Sequence, residues 1–148
     1  MELLDTFVLR EGYWPELGGN VRIIRREVFQ REQGIPRELD EDGSDDYCIH
    51  FLVETKDGIP VGSARMAENH LQRLAVVPEM RKQGIGFLLV ASMLRVAHVR
   101  KYDLVEATAQ TSALGLARLF GFTVDRDPFL IAGRTHHRVS KRMTFDEG

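Results

Sequence analysis

The apolar positions of this chain switch repeatedly between a period of about two and a period of about 3.6, which predicts strands and helices in alternation. FVLRE (7–11) reads as a first strand. GGN (18–20) reads as loop, with Asn20 as helix N-cap, and VRIIRREVFQRE (21–32) then sets Val21, Ile24 and Val28 on one helical face. Gly34 and Pro36 end that helix. YCIHFLVET (47–55) is a β-branched and aromatic strand, Asp57-Gly58 is a hairpin turn signal, and VGSARM (61–66) is the return strand. LQRLAVV (71–77) predicts another strand, and IGFLLVASMLRVAHVR (85–100) a helix with Leu88, Ala91 and Val96 on its apolar face. DLVEATA (103–109) is a strand, SALGLARLF (112–120) a short helix closed by Gly121, and HRVSKRMTF (137–145) a last strand. The order is strand, helix, three strands, helix, strand, helix, strand. It predicts an α/β layer fold, a mixed sheet with helices on both faces.

At 148 residues the chain fits one compact domain, and 43% hydrophobic residues suffice for a real core. With a formal charge of −2, nothing global argues for nucleic acid or an anionic membrane as a partner, and neither is expected. Locally the charge is uneven: RELDEDGSDD (37–46) is strongly acidic and its residues 38–46 read as a solvated loop, whereas RTHHRVSKR (134–142) is basic. The lone Cys48 excludes an internal disulfide, no spacing suits a metal, and a reduced cytoplasmic setting is the default expectation. The N-terminal sequence lacks a secretory layout, and no apolar run approaches the ~20 residues of a membrane span.

The chemistry concentrates in AVVPEMRKQGIGFLLVASML (75–94). A strand hands over to a helix here through Arg81, Lys82, Gly84 and Gly86. A helix N-terminus carries unpaired N–H groups and about half a positive charge, glycine lets a ligand approach the backbone, and two cations add formal charge. The junction is therefore a candidate diphosphate cradle. Spacing alone also admits a tight turn that holds no ligand. Leu89 stands where a dinucleotide fingerprint needs its third glycine, and no Gly-Lys-Ser or Gly-Lys-Thr exists for a P-loop.

RKQGIG (81–86) resembles the Arg/Gln-x-x-Gly-x-Gly/Ala signature of the GNAT acyltransferases. REVFQREQGIPRELDEDGSDD, HFLV, PVGSARM, LQRLAVVPEMRKQGIG, ATAQTSA and LFGF follow in that family's order, and the whole is similar to its ElaA-like branch. The resemblance implies the GNAT fold: a mostly antiparallel sheet of six or seven strands, splayed between the fourth and fifth. It implies a single acyltransferase domain over 1–148 that moves an acetyl group from acetyl-CoA to a small or protein amine by direct attack, and it admits a homodimer. The diphosphate would rest on Gln83, Gly84, Ile85, Gly86 and Phe87 near Arg81 and Lys82. The pantetheine arm would run beside Leu74, Ala75 and Val76, with Gln110 close by and the Val76 N–H as oxyanion donor. A binding protein for acyl-CoA without turnover is the alternative.

Two positions depart from the family pattern. Ala117 replaces the tyrosine of Tyr-x-x-x-Gly-Phe that protonates the leaving thiolate, and Gln72 replaces a glutamate base. Glu32 or His50 is then the candidate base, and Ser112 a candidate proton donor. Glu32, Gln33, Asp40, Arg65 and His136 are the candidate acceptor-binding residues. Arg65 also reads as a structural partner of an acid such as Asp40. The acidic stretch, if it borders the site, would favour a cationic amine.

Overall fold

The computed structural model describes residues 6–145. Its strands are β1 (Phe7–Gly12), β2 (Ile49–Thr55), β3 (Pro60–Ala67), β4 (His70–Val76), β5 (Leu104–Gln110), β6 (Thr123–Val124), β7 (Phe129–Ile131) and β8 (Arg134–Arg142). Its α-helices are α1 (Trp14–Arg25), α2 (Arg37–Asp40), α3 (Ile85–Val99) and α4 (Leu114–Leu119). The strands form one sheet in the order β1-β2-β3-β4-β5-β8-β6, with β7 paired to β8. Every pairing is antiparallel except β4–β5.

Both faces of the sheet are covered, because β2 alternates its apolar side chains between two cores. Phe51 and Val53 pack with Leu89, Met93 and Val105 on the α3 side, while Leu52 packs with Val21, Ile24 and Val28 on the α1 side. The α3 stripe toward the sheet is Ile85, Leu89, Met93 and Val96, so Leu88 and Ala91 flank it, half-buried. Gly62 of β3 lies beneath the start of α3, where a Cβ would stand 2.5 Å from Ile85 Cγ2.

The first helix starts six residues before Asn20, the expected cap, with Tyr13 at the N-cap and Pro15 in the first turn. Gly18 and Gly19 are helical, and Asn20 instead sends Nδ2 to Glu54. Gly18 is required by contact: a Cβ there would meet the Trp14 ring at 2.8 Å. Beyond Arg25 the helix widens to π winding over Arg26–Glu32, which buries both Val28 and Phe29. The stretch 37–46 is not a solvated loop. It holds α2 and a 3₁₀ turn, and three of its aspartates enter a buried or half-buried ion network. The C-terminal region gains β6 and β7, and β8 begins at Arg134 rather than 137.

Two irregularities open the sheet. Between Ser63↔Ala75 and Arg65↔Gln72, β4 carries one more residue than β3, a bulge at which Arg73 takes the left-handed conformation (φ 57°). β4 and β5 pair only at His70↔Glu106 and Leu71↔Ala107, then diverge.

Candidate functional site

Where β4 and β5 part, they bound a cavity of about 780 Å³, within the usual range for a small-molecule site. One wall is β4 from Leu71 to Val76, the other is β5 from Ala107 to Gln110. Residues of α3 and α4 close one end, and the α1–α2 connection with the β7–β8 hairpin closes the other.

The direction of the β4 backbone follows from its neighbours. Val77 N–H donates to the Val61 carbonyl of β3 at 3.0 Å. Successive N–H groups of a strand point to opposite sides, so the Val76 N–H faces away from β3, toward the cleft. The Val76 carbonyl points the same way and accepts from Arg81 Nε at 3.0 Å. Leu74 and Ala75 line the same wall.

At the α3 end, Gly84 is the N-cap with φ 86° and ψ 6°, and no side chain caps the helix. The first closing bond is Leu88 N–H to the Gly84 carbonyl at 3.0 Å. The amides of Ile85, Gly86 and Phe87 precede that bond and have no intrahelical acceptor. A Cβ at Gly86 would meet only the tip of Leu116, at 3.3 Å. Gly84, Ile85, Gly86, Phe87, Arg81 and Lys82 all line the cavity, and Gln83 does not. An uncapped helix start beside free strand-edge groups suits a diphosphate joined to an amide-bearing arm, so these residues fit coenzyme A.

Two consecutive residues at the end of the π segment bridge the cleft mouth. Arg81 Nη1 donates to Glu32 Oε2 at 2.7 Å, and Nη2 donates to Oε1. Gln110 Nε2 donates to Gln33 Oε1 at 2.8 Å, with the reciprocal contact at 3.4 Å. The Arg81 guanidinium holds the Glu32 carboxyl below the usual carboxylate range. A carboxylate so held is a weak proton acceptor.

Two further expected site residues stand elsewhere. His50 is fully buried outside the cavity lining. It shares the α1 face of β2 with Leu52, its Nε2 lies 2.9 Å from the Asp45 carbonyl oxygen, and its ring packs 4.8 Å from that of Trp14. Burial pushes its pKa down. Arg65 faces His50 across the sheet and is also buried outside the lining. It donates to Asp42, to Asp45 and to Gln72 Oε1, not to Asp40. Asp40 reaches the cavity but accepts from Arg25 Nε and Gln30 Nε2, both at 3.0 Å. The aspartates that were to attract a cationic amine are thus balanced by Arg25, Arg65 and Arg73. Ser112 is exposed at the cavity rim, and His136 is buried against it. Gln72 and Ala117 line the cavity too.

The sequence reading passed over Phe29, Leu39, Arg73 and Ile131, which also line the cleft. Arg73 carries no local mark of its left-handed turn. Ile131 was findable, since FLI before Ala132-Gly133 is a short strand with a turn signal.

Comparison with known proteins agrees with this architecture. A family model described as an acetyltransferase (GNAT) domain matches residues 20–143. The Bacillus subtilis (strain 168) protein BSU40680 is 29% identical over 126 residues, covering 80% of this chain and 85% of that one. The uncharacterized N-acetyltransferase YjcF of the same strain is 27% identical over 122 residues, with 80% and 87% covered. The crystal structure of Escherichia coli ElaA superposes with a TM-score of 0.80 at 22% identity, covering 92% of this chain and 99% of that chain. An acyl-CoA N-acyltransferase from Pseudomonas aeruginosa gives 0.77 at 22% identity over the same shares. With its splayed β4–β5 cleft, its glycine-opened α3 and a family match over most of its length, this chain belongs to the GNAT acetyltransferase family.

Proposed function

We propose that this protein transfers an acetyl group from acetyl-CoA to an amine, small or protein-borne, by direct attack with both partners in the cleft. Acetyl-CoA, when bound, supplies the acyl thioester and a thiol leaving group. The amides of Ile85, Gly86 and Phe87 hold the diphosphate, with Lys82 and Arg81 adjacent. Leu74, Ala75 and Val76 accompany the arm. The Val76 N–H donates to the thioester oxygen, where negative charge develops. The acceptor enters between the α1–α2 connection and the β7–β8 hairpin, past Gln33 and His136. Phe29, Ile35, Leu39 and Ile131 make much of that entrance apolar.

One observation carries this reading: the Val76 N–H and the uncapped α3 start open into one cavity. Holding two reactants in register is worth roughly 7–11 kcal/mol, so Ala117 in place of a tyrosine slows the reaction without abolishing it. Gln72 and Ala117 support a second reading, an acyl-CoA sensor without turnover. Thiol release from acetyl-CoA across an amine panel separates the two. Calorimetry tests the cradle. Gly86→Ala keeps CoA affinity within a few-fold, because only the Leu116 tip must yield. Gly86→Asp sets a carboxylate against the diphosphate and abolishes binding. Normal CoA binding by Gly86→Asp would refute the cradle.

A further inference from the structure

One histidine of the cleft has the position of its proton set by the fold. His136 stands on β8 opposite Gln110 and is 8% exposed. Its Nδ1 lies 2.8 Å from the Arg134 carbonyl oxygen. A carbonyl can only accept, so Nδ1 carries the hydrogen in this contact. In the neutral ring Nε2 is then left with a bare lone pair. Among the described residues Nε2 has no hydrogen-bond partner, and the protein does not seal it off. Phe129 braces the ring at 6.0 Å between centroids, and Arg138 lies over the Phe129 ring.

The other groups of the cavity that could take a proton are engaged. Glu32 is held by Arg81, and Asp40 by Arg25 and Gln30. The remaining charged groups sharing the cavity are the cations Arg73, Arg81, Lys82 and Arg134.

We propose that His136 is the general base of the transfer, receiving the proton of the acceptor amine at Nε2. This rests on the acetyl-transfer reading above. As the new C–N bond forms and the C–S bond breaks, one N–H hydrogen of the acceptor passes to Nε2. The sulfur leaves with the bonding electron pair as a thiolate, and the imidazolium returns the proton to water. Nδ1–H stays on the Arg134 carbonyl throughout and stabilises the imidazolium.

The test uses the full-length chain in three arms. Nitrogen-15 NMR of the ligand-free protein reads the tautomer, with His136→Asn identifying the signal. The expected neutral form carries its hydrogen on Nδ1. His136→Asn can still donate to Arg134 but offers no titratable lone pair. Its kcat/KM for the amine is expected to fall about 10²–10⁴-fold, with loss of the acidic limb of the pH profile. Its calorimetric Kd for CoA is expected to stay within twofold. A hydrogen on Nε2, or a variant with wild-type kcat/KM and an unchanged acidic limb, overturns the proposal alone. A wild-type chain that binds CoA but acetylates no amine overturns the transfer reading and the proposal with it.

Discussion

Glu32 and Arg81 are paired across the mouth of the cleft, Arg81 Nη1 donating to Glu32 Oε2 at 2.7 Å while its Nε holds the Val76 carbonyl. The pair joins the end of the π segment to the loop that leads into α3, so a cation expected to serve a diphosphate is already engaged by an acid. Exposed ion pairs are worth about 0.2–1 kcal/mol. Glu32→Gln should therefore free Arg81 and tighten CoA binding by up to about fivefold, while transfer persists. Calorimetric Kd and thiol-release rates check this. Unchanged affinity would show that Arg81 contributes nothing to the cofactor, and lost transfer would restore Glu32 as a base.

The buried ion network predicts how the fold responds to acid. The hydrogen bond from Arg65 holds Asp42 far below the usual carboxylate range. Burial alone would raise Asp45, but Arg25 and Arg65 more than offset it and keep it low. Carboxylates depressed in the folded state contribute stability that is complete above the unfolded value of about 3.9 and is lost as pH falls below it. The melting temperature should decline gently below about pH 6.5, where buried His50 stays neutral while the unfolded chain takes up a proton, and fall steeply below about pH 4. Asp45→Asn leaves two buried guanidiniums short of charge and should cost about 3–5 kcal/mol at pH 7 by urea denaturation.

Gly62 sets how closely α3 approaches the sheet. Gly62→Ala would press a methyl onto Ile85, the first residue of that helix, and overpacking of this kind costs about 1–3 kcal/mol. The variant should melt several degrees lower and also bind CoA more weakly, because the helix start is displaced. A stable variant with intact CoA affinity would contradict the role given to this contact.

Ala117 of α4 lines the cleft where the GNAT pattern has a tyrosine. A general acid contributes about 10²–10⁴-fold. Ala117→Tyr should raise kcat about tenfold or more while leaving the Kd for CoA nearly unchanged. An unaltered kcat would show that the departing thiolate already has a proton source in this chain.

Short-range rules read the Asp57-Gly58 hairpin, the Gly84–Gly86 helix start and the Gly121 cap, because each depends on the conformation of a few successive residues. They failed at Gly18-Gly19-Asn20. Local preference there says loop, yet the Trp14 ring covers Gly18 and the buried stripe of Leu17 and Val21 holds the turn in a helix. They failed again over 37–46, where charge alone says solvent but Arg25 and Arg65, distant in sequence, draw Asp40 and Asp45 inward and hold Asp42 at the edge.

The amino-acid order by itself determined the alternation of strands and helices, the glycine-opened junction and the likeness to an acyl-CoA enzyme family. Only the tertiary structure decided which acids are neutralised, that Glu32 meets Arg81, that His50 is core and that His136 turns Nδ1 to the Arg134 carbonyl. The reason is physical. Backbone preference acts between neighbours in sequence, whereas the protonation and availability of a side chain depend on the groups that folding brings within a few ångströms of it.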